Sequence, residues 1–232
     1  LSEYLKKNHI SIKNILCSSY IKSLNYNQLF KNYDKKVFLD IGYRKSCLSI
    51  FDKNRLILFN VIPLGGNHIT KDISQVLDIS EEDSENIKKS LNQAETIFSN
   101  DSKEEFISNS EIRNKLKKNI SLDLLKKVIY ARIDEILNLS LKNINFSSLI
   151  NDKNKCILVF TGEGSKILDK NSIYLENKFN FFKEMNFFEE SVSTICQSGY
   201  NFYKKNYSYE VNIVSKKPKK NGFFEKLFDL FN

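Results

Sequence analysis

Two strand-like segments of this sequence end in glycine, where contact with a phosphate or a nucleotide would need it. The apolar run Val37-Phe38-Leu39 stops at Asp40-Ile41-Gly42, and Cys156-Ile157-Leu158-Val159-Phe160 stops at Thr161-Gly162-Glu163-Gly164-Ser165. Without a Cβ, such turns let backbone N–H groups come close to a phosphate or a base. An aspartate beside the first turn can hold a magnesium-bound water near phosphates. Either motif alone also has a plainer reading, since Asp-x-Gly ends many strands as a simple turn. Glu85 and Lys88 are three apart on one predicted helix face, the spacing of an ordinary ion pair. His9 and His68 stand away from other ligand types, and Cys17, Cys47, Cys156 and Cys196 form no C-x-x-C pair. Neither set suggests a catalytic pair, a disulfide framework or a zinc site.

The carboxy-terminal end suggests a different chemistry. Phe223, Phe224, Leu227, Phe228, Leu230 and Phe231 recur at helical spacing and leave Glu225, Lys226 and Asp229 on the other side. Lys216, Lys217, Lys219 and Lys220 come just before, in a polar stretch with no residues to build a core. Such a helix can dock on its own domain. The large aromatics, the linker and the lysines together favour a bilayer surface instead. Each buried large apolar side chain contributes roughly 1.5–3 kcal/mol, and each lysine near an anionic leaflet about 1 kcal/mol. Residues 222–232 are too few to span a membrane, so the expected attachment is reversible and peripheral.

Several elements must position these groups. Val37–Gly42, Ser46–Phe51 and Arg55–Ile62 read as three consecutive strands, the last two joined by the turn Asp52-Lys53-Asn54. Asn14–Cys17 is a short apolar stretch with the composition of another strand. Pro63 ends the third strand, and Gly65-Gly66-Asn67 opens a helix from about His68 to Leu77. Ser80-Glu81-Glu82-Asp83 caps a second helix running to about Ala94. Residues 96–110 are polar, with a short strand expected at 105–107. A long helix over 122–144 places Leu125, Val128, Ile129, Ile133, Ile136, Leu137 and Leu141 on one face. Glu190 to Tyr203 reads as the last helix before the basic linker.

Composition sets the outer bounds. With 232 residues, 41% hydrophobic and 28% charged, the chain can fold around a real core. The formal charge of +8 suits an anionic partner without choosing one, and heavy use of lysine, asparagine and isoleucine weakens that signal. No nucleic-acid motif or aromatic-plus-basic platform is present, so a nucleic-acid partner is not expected. With no signal peptide and no run of about 18 apolar residues, the chain reads as cytoplasmic. It begins at Leu1, which suggests that an amino-terminal part lies outside it.

Taken in order, these motifs resemble one family. The series is Asp40-Ile41-Gly42, then Gly65-Gly66-Asn67-x-Ile69-Thr70-x-Asp72-Ile73, Ser84-Glu85-Asn86-Ile87-Lys88, Ala131-Arg132-x-Asp134-Glu135-Ile136, Phe160-Thr161-Gly162-Glu163-Gly164, Glu190-Ser191-Val192 and the basic, phenylalanine-rich tail. It resembles the carboxy-terminal half of the bacterial cell-division protein FtsA, an actin-like ATPase family, from about residue 10 onward. The resemblance implies an α/β fold: an actin-like (ribonuclease H-like) lobe of two subdomains plus a C-terminal amphipathic helix. One subdomain would comprise 1–62 and 151–210 and the other 63–150, followed by a basic linker at 211–221 and a membrane-targeting helix at 222–232. The implied function is an adaptor that holds filaments of the tubulin-like protein FtsZ at the cytoplasmic face of the inner membrane, with FtsZ contacting the 63–150 subdomain. Self-association into actin-like filaments is implied for the full-length protein.

ATP and magnesium are the implied ligands, at Asp40, Gly42, Glu85, Lys88, Gly162, Glu163 and Gly164. In similar proteins the Glu85–Lys88 pair reaches the ribose and base. The sequence departs from the family at the phosphate turn, which normally reads Asp-x-Gly-Gly-Gly-Thr. Here Tyr43 and Arg44 replace two glycines, which impairs close backbone approach to phosphate and predicts no turnover. Arg44 and Lys45 either contact phosphate oxygens or form a solvated turn. The competing function is an actin-fold ATPase or a sugar-kinase-like enzyme, against which the altered turn and the tail both count.

Overall fold

The computed structural model describes residues 2–12, 15–94, 121–141, 155–168, 175, 177, 179, 180 and 182–204. The short strand expected at 105–107, the linker and the amphipathic tail lie outside the described residues.

After a short helix α1 (Ser2–Lys7), the segment Ile15–Cys17 is irregular and leads into α2 (Ser18–Asn27). The strand expected at 14–17 is therefore not formed over its described residues. Ile15 is 87% exposed and Leu16 44%, so these side chains enter no core. Strands β1 (Lys35–Ile41), β2 (Ser46–Asp52) and β3 (Arg55–Ile62) follow as an antiparallel meander. Lys53 takes φ 55° in the β2–β3 turn. Then come α3 (Gly66–Leu77), α4 (Glu81–Ala94) and α5 (Leu122–Leu141). Strand β4 (Cys156–Thr161), a 3₁₀ turn (Glu163–Ile167), β5 (Glu184–Phe187) and α6 (Val192–Lys204) complete the described chain.

The sheet order is β3-β2-β1-β4-β5, with β4 parallel to β1 and β5 parallel to β4. Strand β4 and nearly all of β1 and β2 are buried, as expected of near-continuous apolar runs covered on both faces. Alternation divides their side chains between two cores. Val37, Leu39, Ile41, Leu158 and Phe160 meet Ile69 and Ile73 of α3, Ile87 of α4, and Leu125, Ile129, Ile133 and Leu137 of α5. Phe38, Phe51, Ile157 and Val159 meet Leu24 and Tyr26 of α2, with Phe202 of α6 packed against them.

The helix ends follow local chemistry. Ser80 Oγ accepts the Asp83 N–H at 3.0 Å, the N-cap that the acidic first turn of α4 predicts. His68 is occupied structurally: its Nδ1 accepts the Gly65 N–H at 3.1 Å at the start of α3. Arg132 of α5 grips Asp72 of α3 in fork geometry, Nε to Oδ2 at 2.6 Å and Nη2 to Oδ1 at 2.8 Å, fixing these two helices in register. Lys36, 2% exposed, gives its amine to Asn27 Oδ1 at 3.0 Å and to the Lys53 carbonyl at 2.8 Å. Burial pulls its pKa down, and its bonds tie the end of α2 to the β2–β3 turn.

Candidate functional site

Because β1 and β4 are parallel neighbours with Asp40 opposite Thr161, both glycine turns emerge at the same end of the sheet. Crevices at the carboxyl ends of parallel strands are where open α/β sheets bind ligands. Gly162 has φ 85° and ψ 155°, a conformation open essentially to glycine alone. A Cβ there would lie 2.3 Å from Asp40 Oδ1. Gly65, in extended backbone, approaches the other turn so closely that a Cβ would lie 2.4 Å from the Gly42 carbonyl oxygen. The glycines therefore pack one turn against the next.

The amides at these turns are already engaged. Gly42 N–H donates to the Lys45 carbonyl at 3.0 Å, Gly66 N–H to Gly42 at 2.9 Å, and Asn67 N–H to Tyr43 at 2.7 Å. Tyr43, Arg44 and Lys45 are exposed. The first turn of α3 is thus bonded to the β1–β2 turn, and its amides do not form an open phosphate cradle.

Asp40, only 8% exposed, faces a partner that the sequence reading did not identify. Lys22 Nζ of α2 lies 2.9 Å from Asp40 Oδ2 and 2.8 Å from Glu190 Oε2. Glu190 also accepts the Gly162 N–H at 3.1 Å and the Tyr26 hydroxyl at 2.9 Å. Burial works to lower the Lys22 pKa, but Asp40 and Glu190 outweigh it and hold the ammonium above the ordinary lysine value. Burial and then Glu190 push the Tyr26 phenol up. Glu190, expected at the start of the last helix, instead precedes α6 and turns its carboxylate inward. The signal available in the sequence was Lys22 itself, set between Ile21 and Leu24 in a helix with no acidic residue to pair with.

A magnesium ion does not fit at Asp40. The Lys22 ammonium already occupies one carboxylate oxygen, and Gly162 packs against the other. Among the described residues, no group of three or more His, Cys, Asp or Glu is placed to hold a metal ion.

Of the predicted residues, Glu85, Lys88, Glu163 and Gly164 meet in a pocket of about 370 Å³, which Gly42 and Gly162 do not line. Ile69, Ile167, Gly66 and Gly164 line it together with Glu85 and Lys88, and Tyr43, Glu163, Lys89 and Lys166 also border it. Lys88 Nζ donates to Gly66 O at 3.1 Å, to Thr70 Oγ1 at 2.7 Å and to Glu85 Oε2 at 2.6 Å. Thr70 Oγ1 also donates to Glu85 Oε2. Glu163 pairs with Lys166 at 2.8 Å on an exposed surface. Asp40 does not line this pocket. The predicted site thus divides into a ligand-sized cavity and a closed, ion-paired strand end.

Burial acts to raise the Glu85 carboxyl, but its bonds from Lys88 and Thr70 outweigh that and hold it below the ordinary glutamate value. A carboxylate with a depressed folded-state pKa stabilises the fold above its unfolded value of 4.5 and loses that contribution as pH falls through the folded value. Glu85→Gln should therefore flatten the acid limb of the urea midpoint against pH below 4.5 and leave its shape at neutral pH unchanged. An unaltered acid limb would mean that Glu85 titrates alike in both states.

Comparison with known proteins gives this geometry a family. The model described as cell division protein FtsA matches residues 37–201. The chain belongs to the FtsA family. FtsA of Bacillus subtilis (strain 168) is 35% identical over 101 residues, which cover 44% of this chain and 22% of the relative. FtsA of Buchnera aphidicola subsp. Acyrthosiphon pisum (strain APS) is 30% identical over 208 residues, 84% of this chain and 49% of the relative. The chain therefore spans half or less of the FtsA relatives it matches.

Among solved structures, MreB5 of Spiroplasma citri bound to ADP superposes with a TM-score of 0.61 at 14% identity, over 88% of this chain and 64% of that one. MreB5 bound to AMPPNP gives the same TM-score at 18% identity. A PilM–PilN type IV pilus biogenesis complex superposes at 0.52 over 86% of this chain and 53% of that one. These likenesses show the fold, an actin-like α/β lobe. Among the described residues, no helix is long and apolar enough to cross a membrane.

Proposed function

We propose that this cell-division protein acts as an FtsA-type adaptor, holding FtsZ filaments at the cytoplasmic face of the inner membrane through its carboxy-terminal segment. The observation that carries this reading is the FtsA match across residues 37–201, in a chain that closes with four lysines and the apolar stripe Phe223 to Phe231. In this reading residues 1–62 and 151–210 form one subdomain and 63–150 a second that meets FtsZ. Residues 211–221 are the linker and 222–232 the membrane helix, and self-association belongs to the full-length protein. The pocket at Glu85, Lys88 and Gly164 is its nucleotide site. The Lys22–Asp40 pair supports a binding role rather than a hydrolytic one, because a neutralised aspartate is poorly suited to organising an attacking water.

The test is co-sedimentation with FtsZ combined with flotation on liposomes containing anionic lipid. The intact chain should float and carry FtsZ with it. Deleting residues 222–232 should abolish flotation and leave FtsZ binding in solution intact. Unchanged flotation would sink the anchor, and the absence of FtsZ from both experiments would sink the adaptor reading.

A further inference from the structure

We infer that this lobe recognises the nucleoside part of its ligand and is indifferent both to the number of phosphates and to magnesium. The inference rests on the nucleotide reading of the pocket and departs from the ATP–magnesium chemistry implied by the family motif.

Three independent features lead to it. The first is the state of the cations and amides that would meet phosphate. All three N–H bonds of Lys88 are spent, on Gly66 O, Thr70 Oγ1 and Glu85 Oε2, so it has no donor left for an anion. The amides of Gly42, Gly66 and Asn67 are likewise bonded within the turns. A phosphate placed here would have to break existing bonds, and that cost offsets what it gains. The second feature is Asp40. Its carboxylate is neutralised by Lys22 and covered by Gly162, outside the pocket, so a metal bridging the aspartate to phosphates has no place.

The third feature is the pocket itself. Its volume of about 370 Å³ falls at the small end of ligand cavities, which run from roughly 300 to 1,000 Å³. Ile69, Ile167 and the two glycines supply an apolar surface that suits a flat base. Among its charged lining residues, Glu85 has its Oε2 held by Lys88 and Thr70 while its Oε1 lies 3.5 Å from the exposed Lys89. That leaves Oε1 as an acceptor for hydroxyl or amino donors, as on a ribose or a base. Lys88 and Thr70 are positioning residues that aim Glu85. The two exposed rim lysines are each paired with a carboxylate, Lys166 with Glu163 at 2.8 Å and Lys89 with Glu85 at 3.5 Å, and exposed charges attract phosphate only weakly in salt.

The experiment is a calorimetric titration of the full chain with adenosine, AMP, ADP and ATP, each in magnesium and in EDTA. The expected result is dissociation constants within about threefold of one another, a spread under about 0.7 kcal/mol, and no more than about a twofold effect of magnesium. Glu85→Gln, checked for folding by circular dichroism, should weaken all four ligands by the same factor, about tenfold. If ATP binds more than about thirtyfold tighter than adenosine, or only with magnesium, the inference falls while the nucleotide pocket stands. If none of the four binds, the nucleotide reading itself falls and takes the inference with it. Equal binding that Glu85→Gln leaves unchanged would overturn the role given to Glu85 and, with it, recognition through this pocket.

Discussion

Lys22→Met should destabilise the protein by about 3–5 kcal/mol, read as a lower urea midpoint with little change in slope. The reason is the charge left behind. Lys22, Asp40 and Glu190 have side chains only 8%, 11% and 6% exposed, and the ammonium is within 3 Å of both carboxylates. Removing it leaves two like charges facing each other with little water to screen them. The triad also joins elements far apart in sequence: α2 through Lys22, β1 through Asp40, and the segment before α6 through Glu190. The Gly162 turn hangs from Glu190 as well.

The effect has a signature beyond its size. Removing the carboxylates together with the amine, in the triple variant Lys22→Met, Asp40→Asn, Glu190→Gln, should recover a large part of the loss, because nothing charged then stays buried without a partner. The pH dependence is also determined in sign. The folded-state pKa of Lys22 is raised above its unfolded value of 10.5, so its contribution is whole below that pH and is lost as pH climbs through the folded value. Through Lys22 itself, the wild type should therefore lose its advantage over Lys22→Met in strong alkali. A single-variant loss below about 1 kcal/mol would mean that the two carboxylates relax into water, and the network would then be a surface feature.

Gly162→Ala should cost about 3 kcal/mol or more, through two additive causes. The backbone at φ 85° and ψ 155° excludes side chains, a strain of about 1–3 kcal/mol. The new methyl would also sit 2.3 Å from Asp40 Oδ1 and 2.6 Å from the Ile41 carbonyl oxygen. Asp40 would have to move away from Lys22, so part of the triad is lost too. Gly199 in α6 is the matched control. A Cβ there meets nothing within 4 Å, and Gly199→Ala should raise stability by about 0.5–1 kcal/mol. Equal melting temperatures for the two alanine variants would show that the Gly162 turn is free to rearrange.

Much of the architecture was legible because it rests on local periodicity. The runs Val37–Leu39 and Cys156–Phe160 are apolar at successive positions, the pattern of a strand covered on both faces. The face of α5 was legible for the same reason: Leu125, Ile129, Ile133, Ile136 and Leu137 fall at helical spacing and all are buried. Ile15–Cys17 shows where this reasoning stops. A short apolar run becomes a strand only if a sheet edge receives it, and Ile15–Cys17 pairs with neither edge strand, β3 or β5.

The nucleotide-type motifs were legible as residue types, and their assembly was not. The sequence by itself determined that Asp40, Gly42, Gly162 and Gly164 end two apolar strands, that Glu85 and Lys88 share a helix face, and that a basic segment precedes a phenylalanine stripe. Tertiary structure decided which of these groups remain available. Lys22 and Glu190 are 168 residues apart, and no spacing rule pairs them. Electrostatic attraction depends on distance in space and on exclusion of water, and both are set by how α2 and α6 cover the sheet. The same packing closed the Asp40 end and left the pocket beside Glu85 open.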